Sequence, residues 1–111
     1  MKTTTTSLPN AVTQYFAAAG RHDAAAAAAC FTDDATVHDE NHTHVGREAV
    51  HAWLEETGRK YQPAFTLMRA SSNGDDVKLS VAVSGQFPGS PVTLDYVLRL
   101  RDGKIAALTI E

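Results

Sequence analysis

Apolar residues recur at helical spacing through the first half of the chain, with one alternating stretch among them, and at every second position through most of the second half. Val12, Tyr15, Phe16 and Ala19 form one helical stripe, with Ser7 or Asn10 as its cap, Pro9 suited to a first turn and Gly20 as its end. Asp23 can cap a second, short helix from Ala24 to Phe31, where alanines have high helix propensity and allow close packing. Between Asp33 and Glu40 the period becomes two. Ala35, Val37 and Asp39 share one face, and Thr36, His38 and Glu40 the other, which predicts a strand. A polar loop from Asn41 to His44 leads through Val45-Gly46 to a third helix over Arg47–Lys60, with Val50, Trp53 and Leu54 at helical spacing.

From Pro63 onward, alternation dominates. Phe65 and Leu67 alternate with Thr66 and Met68, and Ser71 to Asp75 reads as a turn. Val77, Leu79, Val81 and Val83 alternate with Lys78, Ser80, Ala82 and Ser84. A turn at Phe87–Pro91 precedes Leu94, Tyr96, Leu98 and Leu100. Arg101 to Lys104 then turns the chain into a last strand carrying Ile105, Ala107 or Leu108, and Ile110. The expected order is helix, helix, strand, helix and four strands in an antiparallel meander. Helices gathered on one side of such a sheet define the α+β class. Residues 1–7 are expected to fray, leaving one domain over residues 8–111.

Composition narrows the function. At 111 residues, 43% hydrophobic and 21% charged, the chain suits one globular domain. A net charge of −3 with interspersed signs gives no basic face for nucleic acid. No apolar run approaches the roughly 20 residues of a membrane span, and nothing resembles a signal peptide. Cys30 has no second cysteine to pair with, so the expected compartment is a reducing cytoplasm. Gly-rich phosphate loops, paired cysteine motifs and nucleophile elbows are lacking.

Four segments together resemble the nuclear-transport-factor-two-like superfamily, in its SnoaL-like polyketide cyclase and ketosteroid-isomerase branch. They are Val12 to Phe16, Phe31 to Asp39, Gly46 to Trp53 and Leu94 to Lys104; the second, with its paired aspartates and Ala-Thr-Val run, is the most specific. The resemblance implies a cone: three helices in the N-terminal half against a strongly bent antiparallel or mixed sheet, with a pocket at the wide end for a small hydrophobic organic molecule. It also implies homodimers through the outer sheet face and needs no cofactor. It does not choose among reactions, because this fold hosts several chemistries and some proteins with none.

Asp39 is the first candidate for chemistry. If its strand face lines the core, its carboxylate reaches the pocket wall, where partial desolvation makes it a better base near neutrality. The alternative is a strand-end aspartate that caps the following loop or sits in solvent. By resemblance, Asp39 matches the proton-shuttling aspartate of ketosteroid isomerases and Tyr15 the tyrosine of their oxyanion hole. For their third group, a protonated late-strand acid, counting back from Gly103-Lys104 points to Asp95. Parity points to Tyr96, because Leu94, Tyr96, Leu98 and Leu100 share the apolar face and a one-residue slip would turn them outward. Tyr96 therefore stands where the isomerases carry the acid. Phe16, Phe31, Val37, Trp53, Phe65, Val81 and Leu98 are candidates for pocket lining within the core.

His38, His42 and His44 with Asp39 and Glu40 are dense enough to raise a metal site, but strand parity sets His38 and Glu40 opposite Asp39, so no metal is assigned. His51 is a candidate proton carrier at the rim. Two readings remain. In one, Asp39 removes a proton beside a carbonyl while Tyr15 and Tyr96 stabilise the enolate, giving an isomer or a cyclised polyketide. In the other, the chain is a non-catalytic binding or assembly module, which the missing second acid favours.

Overall fold

A computed structural model describes residues 8–111. The expected frayed leader and the Ser7 cap lie outside the described residues. Helix α1 (Asn10–Gly20) has no side-chain cap. Asn10 is its first helical residue, and the Pro9 carbonyl accepts the Val12 and Thr13 N–H groups at 3.0 and 3.2 Å. Helix α2 (Ala24–Ala28) is capped by Asp23, whose Oδ1 accepts the Ala26 N–H at 3.1 Å. It stops short of Phe31. The Cys30 carbonyl instead accepts the Ile105 N–H at 2.8 Å, so sheet pairing overrides the small helix preference of alanine.

Strand β1 (Phe31–Asp39) is followed by a hairpin the sequence does not announce. Glu40 and Asn41 adopt positive φ, 52° and 65°, the conformation of a tight two-residue turn. His42 to Val45, expected as loop, form strand β2, which pairs Asp39 with His42 and Thr36 with Val45. Gly46, at φ 92°, then leads into helix α3 (Arg47–Tyr61); its N–H donates to the Ala35 carbonyl at 2.8 Å.

Strands β3 (Ala64–Asn73), β4 (Asp76–Ser84), β5 (Val92–Arg101) and β6 (Lys104–Ile110) make the expected meander. Ser71 and Ser72, expected in the turn, continue β3 by pairing with Lys78 and Val77. The six strands lie in the order β2-β1-β6-β5-β4-β3; β1 and β6 run parallel and all other neighbours antiparallel. The sheet is therefore mixed, curved and unclosed. Register shifts between Leu67 and Arg69 and between Arg99 and Leu100 add local bends.

One face of this sheet is greasy. Val77, Leu79 and Val81 of β4, Leu98 of β5 and Ile105 and Leu108 of β6 are buried with Val12 and Tyr15 of α1 and Val50 and Trp53 of α3. Each such side chain, fully buried, contributes about 1.5–3 kcal/mol before entropy is counted. Among the described residues, no helix is long and apolar enough to cross a membrane.

Candidate functional site

The core does not fill the space between helices and sheet. A cavity of about 1400 Å³ opens there, large enough for a drug-sized molecule. Tyr15 reaches it from α1, Asp39 from the end of β1, Trp53 from α3, and Phe65 and Tyr96 from β3 and β5. Alternation explains the convergence of the polar groups. Ala35 and Val37 face inward, so Asp39 follows them, and Tyr96 sits opposite Leu79 and Ile110 on the inner face. Tyr96 is only 3% exposed, whereas Asp95 lies exposed on the outer face and takes a 3.4 Å hydrogen bond from Ser80 Oγ.

Asp39 is half-buried, and its Oδ2 accepts the Trp53 indole N–H at 3.1 Å. Desolvation pushes its carboxyl above the ordinary value; the Trp53 bond opposes this, Glu40 adds to it, and His44 pulls downward. Tyr15 and Tyr96 are both shifted upward, first by burial. Each also feels the Asp39 charge, and Tyr15 feels Tyr96, which places the three groups in one electrostatic neighbourhood. Both phenols thus stay protonated across the physiological range. Neither hydroxyl has a hydrogen-bond partner among the described residues.

Of the expected lining residues, only Trp53 and Phe65 reach the cavity. Phe16, Phe31, Val37, Val81 and Leu98 face inward but lie in the packed core, because facing the right way does not fix depth along an element. Two of them hold the tyrosines. Phe16 meets Tyr15 and Tyr96 with ring centroids 4.9 and 5.4 Å apart, and Phe31 meets Tyr15 at 5.6 Å.

Apart from His51, the rim was not anticipated. Tyr61 donates to Glu40 Oε1 at 3.2 Å and meets Phe87 edge to face at 5.8 Å. Glu55 and Arg59 also line the opening. Their i, i+4 spacing along α3 from His51 was the available signal. His51 lines the cavity and faces Glu55 at 3.8 Å. The remaining histidines are dispersed: His38 Nδ1 lies 2.9 Å from Thr43 Oγ1, and the His44 ring stands 6.0 Å from Trp53. Among the described residues, no three His, Cys, Asp or Glu side chains gather to hold a metal ion.

Solved structures carry the same architecture. A candidate polyketide cyclase from Sinorhizobium meliloti is 36% identical, with TM-score 0.90, over 94% of this chain and 95% of that one. A protein of ketosteroid-isomerase-like fold from Catenulispora acidiphila, solved in complex with trimethylamine, is 25% identical, with TM-score 0.83, over 95% and 86%. A cystatin-fold protein from Novosphingobium aromaticivorans shares the fold at 16% identity, with TM-score 0.79, over 96% and 99%. No curated protein matches. The family model for the SnoaL-like domain spans residues 12–108, from the stripe of α1 to the inward face of β6, and this chain belongs to that family, with its cyclase- and isomerase-type small-molecule fold.

Proposed function

We propose that the cavity binds a small organic molecule bearing a carbonyl group and that the protein performs acid–base chemistry beside it, as an isomerase or cyclase. Asp39 takes a proton from the carbon next to the carbonyl. The electrons of that C–H bond move into an enolate whose charge collects on oxygen. Tyr15 and Tyr96 donate hydrogen bonds to that oxygen. The proton then returns to a different carbon, or the enolate carbon attacks a second carbonyl and closes a ring. The observation that carries this reading is the pair of buried phenols, unpartnered among the described residues, beside a half-buried carboxylate with a raised pKa. Such groups are costly to hold without a ligand, and a raised pKa suits a base working near neutrality. The 36% identical relative described as a candidate polyketide cyclase supports the reaction class.

The test is solvent exchange. Simple aryl ketones in D2O, followed by NMR, should lose their α-protons faster with the protein than without it, and Asp39→Asn should abolish the gain. Ketones that bind without any gain in exchange would overturn the catalytic reading in favour of a non-catalytic binding module. The outer sheet face carries the half-buried Ser80, Ala82 and Val97, which supports pairing of two copies there. A single-chain mass by sedimentation equilibrium at high concentration would refute that pairing.

A further inference from the structure

The cavity has a polarity that the reaction class does not specify, and its mouth is where the outer end of any bound molecule must lie. We infer that the mouth filters ligands by charge: it favours a carbonyl compound whose outer end carries a basic nitrogen, as ammonium, over one ending in a carboxylate or phosphate. The inference rests on the proposed reading of the cavity and adds the substrate class.

Around the opening, Asp23, Glu40, Glu55 and Glu111 line the cavity, and Asp39 lies within it. Among the described residues, Arg59 is the single guanidinium on the lining, and no lysine joins it. Two of the rim acids are partly engaged: Asp23 with Arg21 at 3.7 Å and Glu55 with His51 at 3.8 Å. Glu40 and Glu111 have no cationic partner within 4.0 Å among the described residues; Glu40 accepts only the Tyr61 hydroxyl. Lys60 lies over the ring of the lining residue Tyr61, 5.0 Å from its centroid, and feels the Glu40 charge, so Glu40 is offset in part. Counting histidine as neutral, carboxylates outnumber guanidinium five to one among the described residues of the lining.

A charge imbalance alone does not make a binding site. Here it surrounds an opening that leads to two phenols, 1% and 3% exposed, whose hydroxyls lack partners among the described residues. Those hydroxyls call for a polar ligand atom inside, and among the described residues the walls offer no lysine or second arginine to neutralise an anion there. An anionic tail would meet Glu40 and Glu111 on entry and leave its charge near Asp39. An ammonium tail meets the same carboxylates favourably and rests beside Phe87, whose ring face attracts cations, while the Tyr61 ring already carries the Lys60 ammonium. A cleft lined by one sign of charge also raises the local concentration of the opposite sign.

The experiment uses three acetophenones that differ only in the para substituent: trimethylammonium, methyl and carboxylate. Their dissociation constants are measured by Trp53 fluorescence in 20 mM and 500 mM salt, across which the screening length shrinks from about 20 Å to about 4 Å. In low salt the ammonium ketone should bind about tenfold more tightly than the carboxylate ketone, with the methyl ketone between them. In high salt the spread should collapse. Glu40→Gln combined with Glu55→Gln should narrow the low-salt ratio between the ammonium and carboxylate ketones about threefold. Equal affinities in low salt, or a carboxylate preference, would overturn the inference. Repeating the series in Asp39→Asn separates the two readings. A persisting ladder without proton exchange in the native chain would sink the base and keep the filter. Exchange with a flat ladder would do the reverse.

Discussion

Replacing Tyr15 by Phe removes one oxygen and little else, so its effect on stability and on activity should have opposite signs. The ring is held by Phe16 at 4.9 Å and Phe31 at 5.6 Å, and phenylalanine keeps both contacts. The lost hydroxyl is buried without a partner among the described residues. A buried hydroxyl without a hydrogen bond costs about 1–3 kcal/mol. The low end applies, because an open cavity lets water reach the group and repay part of that cost. A gain of about 1 kcal/mol raises Tm by roughly 4 °C in a domain of this size. Calorimetry and urea unfolding of the ligand-free protein measure it. Turnover should move the other way, since removing one oxyanion donor lowers kcat by about 10²-fold. Tyr96→Phe should behave alike. A Tyr15→Phe protein that melts lower while exchanging ketone protons at the native rate would refute the reasoning. Its hydroxyl would then have a structural partner and no catalytic use.

Asp39→Asn should also stabilise the free protein, with a definite pH dependence. Burial raises the folded-state pKa of Asp39 above its unfolded value, so the stability this group contributes is present below the unfolded value and lost as pH rises through the folded one. The variant should therefore melt higher than the native chain at pH 7, and the gap should close near pH 3; a gap that widens on acidification would contradict it. Trp53→Phe deletes the indole donor to Asp39 Oδ2 and should move the acidic limb of the rate–pH profile upward while costing about 1–2 kcal/mol of stability. An unmoved limb would show that the bond does not tune the base. Gly85→Ala would set a Cβ 2.5 Å from the Tyr61 carbonyl oxygen. It should cost about 1–3 kcal/mol by urea unfolding and weaken ketone binding through the shifted Tyr61 and Phe87. Unchanged values for both would show that the backbone yields freely there.

The sequence made the scaffold legible where period and burial coincide. The stripe Val12, Tyr15, Phe16 and Ala19 is buried along α1, and the alternations of β4 and β5 put Val77, Leu79, Val81, Tyr96 and Leu98 inside. The same parity turns Tyr96 toward the cavity and Asp95 away. Strand β2 was hidden because His42-Thr43-His44 has no apolar alternation; its pairing is set by the backbone of the Glu40-Asn41 turn. The length of α2 was hidden because its alanines favour helix up to Ala29, with no signal in the run that β6 claims Cys30. Within the site, alternation gives the side of the sheet and not the depth. That is why Phe16, Phe31, Val37, Val81 and Leu98 read as lining and pack as core. Rim residues such as Glu40, Tyr61 and Phe87 meet only in three dimensions.

Asp39 stands on β1, and β1 enters the body of the sheet only by lying parallel to β6, Phe31 beside Ile105 and Val37 beside Leu108. On a ribosome, the stretch that bears the carboxylate emerges early and waits for its neighbour until almost all of these residues have been made. Until then its apolar flank has only the helices and β2 to lean on. Loop closure over such a separation is slow, so maturation of the pocket should lag behind formation of the β3–β4–β5 meander. A nascent chain stalled before Lys104 would accordingly show the meander protected from amide exchange while the surroundings of Asp39 remain open to it.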